Sequence, residues 1–349
     1  MVNKKNLKKK ETNMISIAIN GFGRIGRTFL RTILQDSASL EKIKISAINI
    51  GPADINSTAH MFKYDTIMGT FPGQVIMEKD NLIIGKNIIK IVAESDPANI
   101  NWLKLDVELV IDCTGHFTDA NLAKLHLKSG AKYVLISAPA KNEDITIIPG
   151  VNDQEFDKNK HKIISLGSCT TNALLPILKT IHDEFIITSG FLTTTHAYTN
   201  SQVLLDVEKK DLRRGRAAAQ NIIPTSTGAA KLVGKIIPGL KNIFEGCAIR
   251  IPLDIVSLVD ISFVSKKTIS PELINNAFEQ AKNDVLKNIL DITMQPLVSS
   301  DFKGISYSVT VDGLLTQTSG QMGKVFGWYD NEWGYSCRLR DFIKIKMAR

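Results

Sequence analysis

Short apolar runs recur through the first half of the chain, separated by stretches with a helical period. Met14–Asn20 (MISIAIN) is the first and reads as a strand. It leads into GFGRIGR and then TFLRTILQDS, where Phe29, Leu30, Ile33 and Leu34 follow helical spacing. Lys44–Ile50 (KISAINI) predicts a second strand. Leu82–Ile84, Ile88–Val92, Leu109–Cys113, Tyr133–Ser137 and Lys162–Leu166 predict later ones. Asn121–Ser129 reads as a helix that stops at Gly130. Strands alternating with helices in this way predict an α/β fold with a parallel sheet covered by helices.

Beyond residue 170 the pattern changes. A helix over about Thr171–Glu184 is followed by longer strand-like runs at Ile187–Thr195, Phe244–Ile251, Ile255–Val264 and Gly304–Asp312. Helical stretches fall near Pro271–Lys287 and Asp341–Met347. The reading is a second, α+β domain with its boundary close to Ser168.

The length of 349 residues agrees with two domains rather than one. A composition of 44% hydrophobic and 22% charged residues excludes a disordered or collagen-like chain. No stretch approaches 18 uncharged apolar residues, so no membrane-spanning helix is expected. Half of the net charge of +8 lies at the start, where Lys4, Lys5, Lys8, Lys9 and Lys10 face only Glu11. Residues 1–13 therefore read as a basic, solvated, disordered leader, and nucleic-acid binding is not expected of it. The apolar run behind it is too short for a signal peptide. The four cysteines, Cys113, Cys169, Cys247 and Cys337, show neither CxxC nor zinc-ligand spacing. Reduced thiols, a cytoplasmic location and no metal are the expectation.

Gly21-Phe22-Gly23-Arg24-Ile25-Gly26 is a GxGxxG sequence that follows a strand and opens a helix. In that setting the first glycine permits a tight turn, the second lets a pyrophosphate approach the backbone, and the third allows helix and strand to pack closely. The helix N-terminus adds amide donors for the phosphates. A Rossmann-type dinucleotide-binding first domain follows. The acid that usually ends the second strand to hold ribose hydroxyls is missing, because Asn49 is followed by Ile50 and Gly51. Without that carboxylate nothing repels a 2′-phosphate, so NADP stays open beside NAD, although no arginine adjoins.

Ser168-Cys169-Thr170-Thr171-Asn172 stands between a strand and an apolar helix. A cysteine at a helix N-terminus has its thiolate stabilised by unpaired amides, which lowers its pKa. A buried, inert cysteine is equally compatible with the local context. His196 ends the run Phe191–Thr195 at a strand end, where loops carry function. With a dinucleotide loop in the same chain, Cys169 and His196 read as a nucleophile and its base. The remaining histidines, His60, His116, His126, His161 and His182, read as structural or solvated.

Taken together, AINGFGRIGR, KYDT, SCTTN, HAYTN, DLRRGRAAAQNIIPTSTGAAK and WYDNEWGYS closely resemble phosphorylating glyceraldehyde-3-phosphate dehydrogenases, from about Met14 to the C-terminus. The resemblance implies oxidation of glyceraldehyde 3-phosphate through a Cys169 thiohemiacetal and acyl-thioester, with His196 taking the hydroxyl proton. It implies that Thr199 and Arg250 bind the substrate phosphate. Ser168, Thr170, Arg214, Thr227 and Gly228 would surround the attacking inorganic phosphate. Gly21, Gly23, Arg24, Ile25, Gly26, Asn49, Ser137, Asn331 and Tyr335 would contact the cofactor. The same resemblance implies a homotetramer acting in glycolysis or gluconeogenesis. It also has the C-terminal helix return to the first domain, so that the dinucleotide-binding domain comprises 14–168 plus 331–349 and the catalytic domain 169–330.

The chain departs from the family at some positions. Ile50 stands where NAD-restricted members usually carry Asp, Val207-Glu208 where they carry Leu-Pro, and Ser95 where arginine is common. Two other readings are erythrose-4-phosphate dehydrogenase, from which HAYTN and PTSTGAAK separate this chain, and a non-catalytic nucleotide- or RNA-binding scaffold.

Overall fold

The computed structural model describes residues 14–348, so the lysine-rich leader lies outside the described residues. The chain forms two compact units. One takes the residues up to Ile147 together with 154–167 and 336–349; the other takes 148–153 and 168–335.

In the first unit, strands β1 (Ile15–Asn20), β2 (Ile43–Asn49), β3 (Val75–Glu78), β4 (Asn81–Ile84), β5 (Asn87–Val92), β6 (Leu109–Asp112), β7 (Tyr133–Ile136), β8 (Ile145–Thr146) and β9 (Ile163–Ser165) form one sheet, in the order β3-β4-β5-β2-β1-β6-β7-β9-β8. From β5 to β8 every pairing is parallel; only β3–β4 and β4–β5 are antiparallel. β1 and β6 lie at the centre and bury every residue, so they read as continuous apolar runs rather than alternating ones. Helices α1 (Arg24–Leu34), α2 (Ser37–Leu40), α3 (Thr58–Lys63) and α4 (Ala120–Lys128) belong to this unit. β1 has β2 on one side and β6 on the other, and this reversal of strand order makes a topological switch point.

The second unit is built on a mixed sheet of β10 (Ile187–Ala197), β11 (Ile223–Ser226), β12 (Phe244–Ile251), β13 (Ser257–Ser265), β14 (Leu290–Thr293), β15 (Val309–Asp312), β16 (Gln317–Ser319) and β17 (Met322–Tyr329). The order is β11-β12-β10-β13-β17-β15-β14, with β16 pairing β17. α5 (Cys169–Phe185), α6 (Ala229–Ile236) and α7 (Pro271–Asn283) complete it. β13 alternates buried and half-buried residues along its whole length, so one face packs inward. Leu174, Leu175, Ile177, Leu178 and Ile181 of α5 join Val259, Ile261, Phe263 and Val325 in a single core.

α8 (Trp333–Phe342) closes the chain, and from Ser336 onward it belongs to the first unit. There Lys344 meets Asp36 at 2.9 Å and Arg340 donates to the Thr32 carbonyl. Two expectations need correction. The strand expected over Gly304–Asp312 begins only at Val309, because Gly304 turns with φ +78° and donates to the Asp330 carboxylate. The last helix starts at Trp333 rather than near Asp341, since Asp330 Oδ1 accepts the amides of Glu332 and Trp333 and starts it early.

Candidate active site

At the carboxyl end of β1 the chain turns at Gly21, with φ +93°, and enters α1 through Gly23. A methyl built on Gly21 would lie 2.8 Å from the Thr114 backbone nitrogen, and one on Gly26 would collide with the Gly21 carbonyl oxygen. At Gly23 a methyl would meet nothing within 4 Å. The fold itself demands two of the glycines, while the third borders open space, which is what a pyrophosphate approaching the backbone requires. Gly23 caps α1 without a side-chain hydrogen bond, and the first turn carries no acidic residue. No side-chain cap covers its amides and no nearby carboxylate in the turn opposes an anion. The loop therefore fits a dinucleotide phosphate.

Arg24 reaches Asp65 of KYDT at 2.5 Å, and Asp65 Oδ1 also accepts the amides of Ile67 and Met68. Burial raises the Asp65 pKa, but the amides and the Arg24 cation outweigh it, so the carboxyl titrates below its ordinary value. Ile25 lies half-buried in the first turn. Asn49 uses its whole amide on the framework. Nδ2 donates to Asn20 Oδ1 and the Glu94 carbonyl, and Oδ1 accepts from the amides of Gly51 and Glu94. Ile50, next in the chain, is half-buried and brings no charge. Ser137 follows β7; its amide donates to the Asp112 carbonyl and its hydroxyl bonds the Cys113 thiol. Burial pushes that thiol up to about 12, which makes Cys113 inert. His126 is fully buried, accepts from Trp102 Nε1 at Nδ1, and faces Asp112 and Asn20 through Nε2. It is a framework residue.

In the second unit, Cys169 is the first residue of α5. Ser168 caps that helix: its Oγ accepts the Thr171 amide at 3.1 Å while its own amide donates to Thr171 Oγ1 at 2.7 Å. The cap holds the backbone rigid beside the sulfur. Cys169 Sγ lies 3.5 Å from His196 Nε2. His196 sits near the end of β10, with Nδ1 2.7 Å from the Ala197 carbonyl oxygen. A carbonyl can only accept, and in the tautomer that donates to it from Nδ1 the Nε2 lone pair is presented to the thiol. Arg250 Nη1 donates to the same carbonyl at 3.0 Å and stands 2.8 Å from Nδ1.

Burial, reinforced by the Arg250 cation, depresses His196 to about 4 despite the opposing Ala197 bond. The imidazole is therefore neutral at physiological pH, with a ring nitrogen free to accept a proton. Cys169 departs from expectation. Burial pushes its thiol up, against the pull of Arg250, the Thr170 hydroxyl and the helix amides. The helix terminus alone does not outweigh desolvation, and the resting pair is a thiol facing a neutral imidazole.

The candidate anion ligands lie in the same unit as this pair. Arg250 is the one that touches His196. Thr199 is half-buried just beyond β10, hydrogen-bonded to Ser201. Arg214 is fixed by Thr225 Oγ1 at 2.9 Å and by Asp211 at 3.4 Å. Gly228 caps α6, and Thr227 Oγ1 accepts the Ala229 amide in that cap. Asn331 Oδ1 accepts from Ser257 Oγ, and Tyr335 is buried.

Residues that sequence reasoning passes over complete the arrangement. Tyr329, at the end of β17, bonds both Thr170 and Thr194 through its hydroxyl and sets its ring edge-on to His196, with centroids 6.0 Å apart. Ser257 accepts the Ala197 amide. The available signal is the buried–exposed alternation of Met322–Tyr329, obscured by Gly323 and Gly327. Among the described residues no group of three His, Cys, Asp or Glu could hold a metal, and no helix is long and apolar enough to cross a membrane.

The chain matches known families along most of its length. Residues 15–120 match the family described as "Glyceraldehyde 3-phosphate dehydrogenase, NAD binding domain", and residues 168–331 match the corresponding C-terminal domain. A glyceraldehyde-3-phosphate dehydrogenase of Priestia megaterium is 46% identical over 336 residues, covering 96% of this chain and 99% of the relative. One from Geobacillus stearothermophilus is 45% identical over 328 residues, covering 94% and 96%. The relative numbered 2 in Bacillus subtilis is 43% identical over 336 residues, covering 96% and 97%.

Proposed function

The chain belongs to the glyceraldehyde-3-phosphate dehydrogenase family, and from that premise we propose that Cys169 and His196 carry its phosphorylating oxidation. The chain is an NAD(P)-dependent oxidoreductase of this family, acting on glyceraldehyde 3-phosphate. The observation that carries the residue assignment is the 3.5 Å approach of Cys169 Sγ to Nε2 of a neutral histidine.

Nε2 takes the thiol proton as sulfur attacks the aldehyde carbon, then returns it to the oxygen, giving a thiohemiacetal. A bound dinucleotide would supply the hydride acceptor. As the carbon gives up its hydride, Nε2 takes the hydroxyl proton and a thioester remains on Cys169. Inorganic phosphate then attacks the thioester carbon, releasing 1,3-bisphosphoglycerate and the thiolate, which recovers its proton from the imidazolium. The Cys169 amide and, once Nε2 has taken its proton, the His196 Nε2–H stabilise the oxyanion. Arg250 and Thr199 hold the substrate phosphate. Thr170, Arg214, Thr227 and the Gly228 amide hold the attacking one, where cation, hydroxyl and amide donors suit a tetrahedral anion. Ser168 acts there chiefly by capping the helix.

NAD is the proposed cofactor, and Gly21, Gly23, Arg24, Ile25, Gly26 and Ser137 of the first unit would hold it; Asn331 and Tyr335 are proposed as contacts to it on the family resemblance. NADP is tolerated, because Ile50 sets no carboxylate against a 2′-phosphate. Exposed Leu204, Leu212 and Phe191, at 84%, 79% and 70%, support burial in a homotetramer. Cytoplasmic glycolysis or gluconeogenesis is the proposed setting.

The test is the initial rate of NAD reduction, and separately of NADP reduction, with glyceraldehyde 3-phosphate as phosphate is varied. Turnover that needs phosphate and occurs with both cofactors supports the proposal. Phosphate-independent turnover opposes it.

A further inference from the structure

We infer that Tyr329 is a positioning residue that aims the Thr170 hydroxyl at the attacking phosphate; the inference rests on the proposed role of Thr170 as a ligand of that anion. Tyr329 is 1% exposed and its oxygen lies 2.9 Å from both Thr170 Oγ1 and Thr194 Oγ1. Thr170 and Thr194 are themselves buried. Three hydroxyls thus meet with little access to water, so the direction of each O–H is set by its neighbours rather than by solvent.

Each hydroxyl has one proton. An anion accepts and cannot donate, so Thr170 serves phosphate only when its own proton points toward it. The Thr170–Tyr329 bond must then take its proton from the phenol. Tyr329, having given that proton, can only accept from Thr194. The chain therefore runs Thr194 O–H to Tyr329 O–H to Thr170 O–H to phosphate. Burial keeps the phenol protonated well beyond the physiological range, as a donor here must be. Ser257 also lies beside the phenol, but it spends its proton on Asn331 Oδ1 and its oxygen is engaged by the Ala197 amide, so it brings no competing donor and is a poorer acceptor than Thr170.

The same side chain lays its ring edge, at 78°, against the His196 imidazole. Replacing tyrosine by phenylalanine keeps that packing and removes only the hydroxyl. The consequence is selective. Tyr329→Phe impairs the step that uses inorganic phosphate and spares the one that uses the aldehyde.

The experiment uses the full-length enzyme with NAD, glyceraldehyde 3-phosphate and inorganic phosphate, comparing wild type, Tyr329→Phe, Thr170→Val and the double variant. Tyr329→Phe is expected to raise KM for phosphate roughly fivefold, the loss of the one neutral hydrogen bond that aims the Thr170 proton. KM for glyceraldehyde 3-phosphate and the rate of the first NADH burst should stay within about twofold. Thr170→Val should raise KM for phosphate too, and the tyrosine substitution should add little on top of it. An unchanged phosphate KM in Tyr329→Phe, with a raised one in Thr170→Val, overturns the positioning role alone. An unchanged value in Thr170→Val overturns the phosphate role of Thr170 and the inference with it. Equal losses in both KM values and the burst mark Tyr329 as merely structural and overturn the inference. If Tyr329→Phe fails to fold, Thr194→Val removes the upstream donor without touching the ring. A rise of roughly two- to threefold in phosphate KM alone is then expected, and no change overturns the chain.

Discussion

The three glycines of the cofactor loop make a separable prediction, because the structure gives each a different reason to be glycine. At Gly26 an added methyl would strike the Gly21 carbonyl oxygen and approach Ile19 Cγ2 to 3.2 Å. Backbone cannot swing aside as a flexible side chain does, so Gly26→Ala should cost about 3 kcal/mol, the upper end of ordinary overpacking. At Gly23 the φ of −77° suits any residue and nothing stands within 4 Å of a methyl. Gly23→Ala should therefore change stability by less than about 0.5 kcal/mol. The methyl does occupy the space a pyrophosphate approaches, so NAD affinity should fall at least about tenfold, or ~1.4 kcal/mol. Urea unfolding of both variants and calorimetric titration with NAD separate the effects. A Gly23→Ala protein that binds NAD as tightly as wild type would refute the placement of the cofactor at this loop. A Gly26→Ala protein of wild-type stability would refute the steric argument.

Two further predictions concern the base. His196 titrates at about 4 in the folded chain against an ordinary value of 6.5, so below pH 6.5 the unfolded state binds a proton that the folded state refuses. Stability present above pH 6.5 is lost as pH falls toward 4, by about 3 kcal/mol. His196→Gln should flatten that part of the stability–pH curve measured by urea unfolding, and an unchanged acid limb would contradict a neutral buried imidazole. Arg250 depresses the same group, so Arg250→Gln should move the acid limb of kcat/KM to higher pH while raising KM for glyceraldehyde 3-phosphate. A limb that does not move would show the cation to be electrically remote from the base.

Much of this architecture is legible in the amino-acid sequence, and for physical reasons. Buried central strands such as β1 and β6 are largely runs of Ile, Val, Leu and Ala, and the loop after β1 carries glycines that sterics require. Cys169 and His196 stand out because a helix start and a strand end place them. Other features depend on tertiary contacts. β17 hides behind Gly323 and Gly327, whose close packing against Phe263 and Ile177 is invisible in one dimension. The early start of α8 depends on Asp330 turning back on two amides. A helix terminus alone predicts a lowered pKa for the Cys169 thiol, whereas its titration is governed by burial that only the folded unit creates. Tyr329 lies inside a motif whose chemistry points first to Asn331 and Tyr335; its role emerges only where β17, β10 and α5 meet.

The central claim is that an acyl group passes through the sulfur of Cys169 before phosphate takes it away. The most direct measurement mixes the enzyme with NAD and glyceraldehyde 3-phosphate in the absence of phosphate, quenches with acid, and follows NADH and peptide mass together. One NADH per subunit is predicted, with a 3-phosphoglyceryl group on the peptide containing Cys169. Added phosphate should discharge the group, and Cys169→Ser should show neither burst nor adduct. A burst without an adduct, or an adduct on Cys113, Cys247 or Cys337, would contradict the account.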